Sequence, residues 1–134
     1  MAENQQNNNQ KDIGTPPEKS AATAIQSAEY QMAQELPWQQ AEAGIQRKIM
    51  GYDASLMLVQ VEFNTGAVST PHAHPHTQAT YVVSGKFKVL IGSEERILFA
   101  GDGFYIPSQV WHGATCLEAG KLIDSFSPYR ADFM

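Results

Sequence analysis

Three histidines and a glutamine have side chains and spacings suited to metal binding. His72 and His74 are separated by one residue, so on an extended strand both imidazole rings point to the same face. Gln78 has the same parity and can bring its carbonyl oxygen to the same point. Neutral imidazole with an oxygen donor suits Zn, Ni, Fe or Mn. The pattern predicts a divalent metal site, and His112, which follows a turn, a strand and a proline, is a further candidate.

A second candidate set, Asp124, Phe126 and Arg130, lies near the C-terminus. Asp124 shares strand parity with Leu122 and Phe126, which predicts that its carboxylate points into an apolar interior. Because an inward carboxylate is costly without a cationic partner, Asp124 is a candidate for contact with the metal or for proton transfer. The alternative is a buried salt bridge or a turn cap.

Two arginines are candidates for binding a carboxylate. Arg130 follows Pro128 and can fold over the mouth of a barrel, where its planar fork matches a carboxylate group. Arg47 has the strand parity of Ile45 and Ile49, which predicts an inward side chain. For each arginine the alternative is a solvated surface position.

The elements that must position these residues are strands. Apolar and polar residues alternate over 57–63, 86–91 and 122–126, and turn signals interrupt the pattern at 64–66, 84–85, 92–93 and 101–103. Alternation with a period of two, separated by such turns, predicts an antiparallel sandwich or barrel. Residues 21–36 admit either a helix or a short strand at 30–32.

Composition limits the classes of function. A chain of 134 residues is one domain's length, and a net charge of −5 gives no basic field for nucleic acid or an anionic membrane surface. No apolar run approaches the ~18 residues of a membrane span, and no apolar signal segment begins the chain. The single cysteine, Cys116, cannot form an internal disulfide. We therefore expect a cytoplasmic protein.

The stretches 66–85 and 101–112 resemble the two signature motifs of the cupin superfamily in their Gly-to-His, His-to-His and Gly-to-Pro-to-His spacings. The resemblance implies an all-β, single-domain jelly-roll barrel (a double-stranded β-helix) over residues 29–134. A polar N-terminal extension over residues 1–28, poor in residues to bury, is expected to be flexible. Small cupins are often homodimers, which implies the same here. The histidine ligands that the resemblance implies are His72, His74 and His112.

The sequence departs from the cupin pattern at the fourth ligand, which is usually Glu and is here Gln78. Four neutral ligands leave the double positive charge of the ion uncompensated, which favours an anionic ligand or a metal-bound hydroxide. Two further departures, Gln109 in place of Gly and Cys116 in place of Asn, fall outside the ligands.

His76 is expected at the rim or beside the ligands. The alternative to a metal centre is a metal-free barrel with core or surface histidines.

A narrower resemblance is to the KdgF pectin-degradation cupins. It rests on the His-x-His-Pro-His-x-Gln segment, the Tyr-Val-Val-Ser-Gly that follows, the upstream Arg-Lys-Ile-Met-Gly and the Asp-x-Phe-Ser-Pro-x-Arg tail, and it spans about residues 30–134. The family converts 4,5-unsaturated uronate monosaccharides, released from pectin or alginate, to linear ketouronates with one divalent metal ion. The resemblance implies a metal set of His72, His74, Gln78 and His112, and active-site roles for Asp124, Phe126 and Arg130.

These residues suit a small anionic sugar substrate, with Phe126 against the sugar, and Arg130 and Arg47 against its carboxylate. Two other functions stay open. One is a metal-dependent isomerase, lyase or dioxygenase for another small polar compound. The other is a non-catalytic sugar-binding cupin.

Overall fold

Eight strands and two short 3₁₀ helices form the regular structure of residues 14–17 and 25–134, the part of the chain that the computed structural model describes. The all-β class is confirmed. The strands are β1 (Gln39–Glu42), β2 (Ile45–Asp53), β3 (Leu56–Phe63), β4 (Val68–His72), β5 (Thr77–Ile91), β6 (Glu94–Phe99), β7 (Gly103–Ile106) and β8 (His112–Ser127), and the helices are Ala33–Glu35 and Ala131–Phe133. In these residues no helix has the length and apolar character needed to cross a bilayer.

The sheet is organised around β8. This strand pairs antiparallel with β3, β4 and β5, and the full order is β1-β2-β3-β8-β5-β6, with β4 attached to β8 and β7 attached to β5. A twisted sheet of this size curls on itself, so its apolar faces enclose one interior. The result is the expected barrel, with the ends of β4 and β8 meeting at the same place.

Alternate residues of the strands fill the interior. In β3, Met57, Val59, Val61 and Phe63 are buried, and the residues between them are more exposed. The ring of Phe63 packs edge-on against that of Phe87 in β5, with centroids 5.1 Å apart. Burial of such a side chain contributes about 1.5–3 kcal/mol. The predicted alternation is confirmed here, and also at Phe87 and Val89 of β5 and at Leu122 and Phe126 of β8.

The segment before β1 is neither the helix nor the strand that its sequence admitted. Over the described residues 25–36, the only helical residues are Ala33–Glu35, and residues 30–32 belong to no strand. Gln26 forms an isolated bridge with Asp53, and Ser27 N donates to the carbonyl oxygen of Tyr52 at 2.9 Å. The rest of the expected extension, residues 1–13 and 18–24, lies outside the described residues. The boundary at residue 28 stays a prediction.

The turn expected at residues 84–85 is instead a bulge within β5. The strand continues from Thr77 to Ile91, and its pairing with β8 shifts register on both sides of Ser84. Gly85 has a φ of 88°, and a Cβ there would lie 2.6 Å from the carbonyl oxygen of Glu118. Glycine is needed here because the two backbones pass too closely for any side chain, not because the chain reverses direction.

We expect Gly85→Ala to destabilise the barrel far more than Gly92→Ala does. Gly92 also has a positive φ, 62°, but no atom lies within 4 Å of the position of its missing Cβ. In this control variant the free energy of unfolding should therefore fall only by the cost of an alanine in the left-handed conformation, about 1–2 kcal/mol. Gly85→Ala adds a clash with β8, for a total of about 2–5 kcal/mol. Urea unfolding measures both, and equal losses would contradict the close-approach explanation.

Candidate functional site

Two strand ends bring the three histidines together. His72 is the last residue of β4, His112 is the first residue of β8, and the two are directly paired. His74 lies two residues beyond β4, and its ring centroid is 4.7 Å from that of His112 and 5.5 Å from that of His72. One potential ligand nitrogen from each residue lies within 4.8 Å of the others. These distances allow one metal ion to bind all three.

The predicted reason for this convergence was wrong, because His72, His74 and Gln78 do not share one strand. The chain leaves β4 at His72, bends, and enters β5 at Thr77, so His74 belongs to the bend and Gln78 to the next strand. The bend is held by a hydrogen bond of 2.7 Å from the backbone N–H of Gln109 to the carbonyl oxygen of His74.

Gln109 has a φ of 66°, a conformation that favours glycine. This explains the usual Gly at that position of the cupin motif. The residue that departs from the motif therefore supports a candidate ligand through its backbone, although its side chain is not part of the ligand set.

Backbone carbonyls orient the three imidazole rings. Each Nδ1 lies near a carbonyl oxygen, at 2.8 Å from Thr70 for His72, 3.0 Å from His76 for His74, and 2.8 Å from Val110 for His112. Donation from Nδ1 leaves the lone pair of Nε2 available to a metal ion. Burial lowers the pKa of His74, and it lowers the pKa of His112 to about 4, which favours the neutral rings that metal binding requires.

The contact between His74 and Gln78 tests whether the residues fit a cation. His74 Nε2 and Gln78 Oε1 are 3.1 Å apart. When His74 donates through Nδ1, both of these atoms present lone pairs to each other, and a cation between them removes the repulsion. Gln78 is held in this orientation because its amide nitrogen donates to Thr80 Oγ1 at 3.0 Å. The donor set of three imidazoles and one amide oxygen fits a divalent ion.

Asp124 lies beside this cluster and faces the interior, as predicted. Its Oδ1 accepts a hydrogen bond of 2.7 Å from the Thr80 hydroxyl, and the Gln78 amide nitrogen is 3.5 Å away. Enclosure by the barrel raises the pKa of Asp124 to about 6, against the opposing effects of Thr80, the Arg130 charge and Gln78. Because Asp124 lies within β8, it is not a turn cap. Thr80 thus links the carboxylate to a candidate ligand.

A cavity of about 160 Å³ connects the two candidate sets. The pocket is small compared with the ~300–1,000 Å³ of sites for drug-sized ligands. Of the predicted site residues only His74 is not in its lining, and the ring of His74 contacts that of Phe126, with centroids 5.9 Å apart. The predicted residues that line the cavity are Arg47, His72, Gln78, His112, Asp124, Phe126 and Arg130.

Arg130 is not the solvated side chain that was its alternative. It is only 8% exposed, and its guanidinium carbon lies 5.0 Å from the centroid of the Phe126 ring. Its Nε and Nη2 donate to the two carboxylate oxygens of Asp132 at 3.0 and 2.8 Å. The hydrogen bonds and the charge of Arg130 hold the pKa of the Asp132 carboxyl below its usual range.

Arg47 also reaches the cavity, where its guanidinium carbon lies 3.6 Å from the centroid of the Phe133 ring.

Sequence reasoning gave no role to Phe133 or to Thr80. Thr80 has the strand parity of Gln78, so the parity argument applied to β5 could have found it. Phe133 has no such signal, because it belongs to a short helix after the last strand.

His76 is not one of the three clustered histidines. Its ring centroid lies 5.3 Å from that of His74 and 6.4 Å from that of Phe126. Its backbone carbonyl oxygen also lies 3.0 Å from His74 Nδ1. This position beside the cluster agrees with the expectation from sequence.

Comparisons with known proteins identify the family. The model of the cupin domain family matches residues 59–125, from within β3 to near the end of β8. A curated relative, pectin degradation protein KdgF of Dickeya dadantii (strain 3937), is 46% identical over 107 residues, which cover 78% of this chain and 97% of that protein. The chain is a cupin of the KdgF family.

Two solved structures resemble this cupin closely. The structure of KdgF from Halomonas sp. is 44% identical, with a TM-score of 0.76 over 81% of this chain and 100% of that chain. An RmlC-like cupin from Shewanella frigidimarina NCIMB 400 is 39% identical, with a TM-score of 0.80 over 82% of this chain and 99% of that chain. The resemblance predicted from the sequence motifs is confirmed.

Proposed function

We propose that this cupin converts 4,5-unsaturated uronate monosaccharides, released from pectin or alginate, to linear ketouronates with the help of one divalent metal ion. The observation that carries the proposal is that one small cavity joins three of the four candidate metal ligands, the Asp124 carboxyl and two arginines. Sequence similarity to KdgF, a protein named for pectin degradation, supports the choice of substrate. The proposed metal ligands are His72, His74, Gln78 and His112.

The proposed reaction is an isomerisation, in which one proton moves within the sugar and the sugar gains or loses no other atoms. The C1 hydroxyl loses its proton, the bond from C1 to the ring oxygen breaks to give a C1 aldehyde and an enolate, and the enolate becomes a C5 ketone when C4 accepts the proton. The four proposed ligands would hold a divalent ion, whose positive charge would polarise the substrate oxygens. Asp124 carries the proton, since a carboxyl that faces the cavity can act as general base and then as general acid.

The remaining residues of the cavity hold the substrate. Phe126 offers an apolar ring to the sugar, and the guanidinium group of Arg130 lies next to that ring. Asp132 occupies Nε and Nη2 of Arg130, which leaves the terminal edge of the guanidinium for a carboxylate. Arg47 contributes a second positive charge to the same cavity. The small volume of about 160 Å³ favours a monosaccharide over an oligosaccharide.

The products of a pectate or alginate lyase provide the test of this function. Mixed with the protein, they should lose the absorbance of the C4–C5 double bond faster than they do spontaneously, and NMR should show a linear ketouronate. Binding of the monosaccharide without faster loss would overturn the proposal and support a sugar-binding cupin. Oxygen consumption that accompanies turnover would instead indicate a dioxygenase.

We expect Arg130→Ala to lower kcat/KM for unsaturated uronates by about 10- to 100-fold, mainly through KM, because a hydrogen bond to a charged group is worth about 1.5–3 kcal/mol. Arg96→Ala is the matched control, since Arg96 is an exposed arginine paired with Glu94 on β6. Steady-state kinetics measure both variants. An unchanged KM for Arg130→Ala in a folded protein would remove Arg130 from the carboxylate site.

A further inference from the structure

Phe133 lies against both arginines of the cavity. The guanidinium carbon of Arg47 is 3.6 Å from the centroid of the Phe133 ring, and that of Arg130 is 4.3 Å away. Both distances fall within the ~6 Å over which an aromatic face attracts a cation. A single ring therefore contacts both positive charges that the proposed function assigns to the substrate carboxylate.

The two arginines need such a contact because they repel each other. Burial lowers the pKa of Arg47, and the charge of Arg130 lowers it further, against the opposing effect of the Asp132 charge. Asp132 pairs directly with Arg130, whereas the hydrogen bond from Arg47 Nε goes to the neutral Gln39 side chain at 3.0 Å. The negative face of the Phe133 ring offsets part of the repulsion without occupying the N–H groups that a carboxylate would use.

Phe133 is itself held in place from several sides. Its backbone N–H donates to the carbonyl oxygen of Arg130 at 3.0 Å, and its ring meets that of Phe126 at 90° with centroids 5.7 Å apart. Gln39 joins it to Arg47, because the Gln39 amide donates to the Phe133 carbonyl oxygen at 3.3 Å and accepts from Arg47. The ring, both guanidinium groups and Gln39 form one connected unit at the barrel mouth.

We propose that Phe133 is a positioning residue that holds Arg47 and Arg130 together as one carboxylate-binding site, an inference that rests on the proposed function. Phe133 acts through the arginines rather than on the reacting atoms. Its loss therefore weakens the binding of uronates and leaves the proton transfer at Asp124 intact. A neutral hexose, which has no carboxylate, is unaffected.

The test compares Phe133→Leu, which keeps an apolar side chain and removes the aromatic face, with Phe133→Tyr, which keeps the face. Phe133→Leu should raise KM for unsaturated uronate about 10-fold with kcat within about 2-fold, and Phe133→Tyr should restore KM to within about 2-fold of the parent. Phe99→Leu is the matched control, because Phe99 is an exposed aromatic residue whose ring centroid lies 5.7 Å from a lysine nitrogen on the outer surface.

Calorimetric binding of galacturonate separates this inference from the proposed function, because it requires no turnover. Weaker binding by Phe133→Leu, and not by Phe133→Tyr, supports the positioning role even if unsaturated uronates are not converted. Unchanged galacturonate binding and KM in Phe133→Leu overturn it, as does an equal loss in both variants. Should Phe133→Leu fail to fold, Gln39→Ala tests the same unit, with an expected weakening of about 3-fold; no weakening contradicts the inference.

Discussion

Replacing His112 with alanine is expected to abolish binding of the proposed metal ion and reduce turnover to the spontaneous rate. His112 is the central histidine of the cluster, with ring centroids 4.5 Å from that of His72 and 4.7 Å from that of His74, and it is only 6% exposed. Even the loss of an outer hydrogen-bond partner of a ligand costs about 10- to 100-fold in metal affinity. The loss of a ligand should therefore cost more than about 100-fold. Metal content per chain after dialysis, measured by mass spectrometry, checks this result.

The matched control is His76→Ala, which removes a histidine beside the cluster but outside it. This variant should keep the metal content of the parent protein. Thermal unfolding of both variants shows whether the barrel remains intact. If His112→Ala retains its metal after dialysis, or if His76→Ala loses it, the proposed ligand set is wrong.

The second large effect is expected from Asp124→Asn. Asparagine has nearly the shape of aspartate and can still accept the hydrogen bond from the Thr80 hydroxyl, which is 2.7 Å long in the parent protein. It cannot carry a proton between the C1 hydroxyl and C4. General acid–base catalysis contributes about 10²- to 10⁴-fold, so kcat should fall by that factor while KM and metal content stay near those of the parent.

Kinetics and metal analysis must be measured on the same preparation, because Asp124 lies close to the Gln78 amide. Asp102→Asn is the control, since Asp102 is an exposed aspartate in the turn before β7 that accepts a backbone hydrogen bond from Phe99. It should keep full activity. A folded, metal-loaded Asp124→Asn protein with unchanged kcat would exclude Asp124 as the proton carrier.

The barrel itself was predictable because its strands alternate regularly between core and surface. The pattern over 57–63 identifies the buried face of β3 residue by residue, and the same rule places Asp124 toward the interior. The rule fails where an element ends or bulges. Residues 84–85 look like a turn from their composition, but they lie at a crossing of two backbones that only tertiary structure creates.

The site was predictable in its residue types but not in its geometry. The spacing of His72 and His74 indicated a metal centre, although the two lie on opposite sides of a strand end and converge through a bend. The burial of Arg130 depends on its pairing with Asp132 and its contact with Phe133, both in the short helix after the last strand. Contacts of this kind follow from how the segment after the last strand packs against the barrel, which no periodicity encodes.

The central place of β8 has a consequence for synthesis of the chain. Among the eight strands of the described residues it is synthesised last, yet it pairs with β3, β4 and β5 and carries both His112 and Asp124. Until it leaves the ribosome, the earlier strands have edges that lack their native partner, a state prone to association with other chains. The barrel and the proposed metal site therefore form only after β8 has left the ribosome. A chain that stops before His112 lacks both the strand that closes the sheet and the carboxyl proposed to carry the proton.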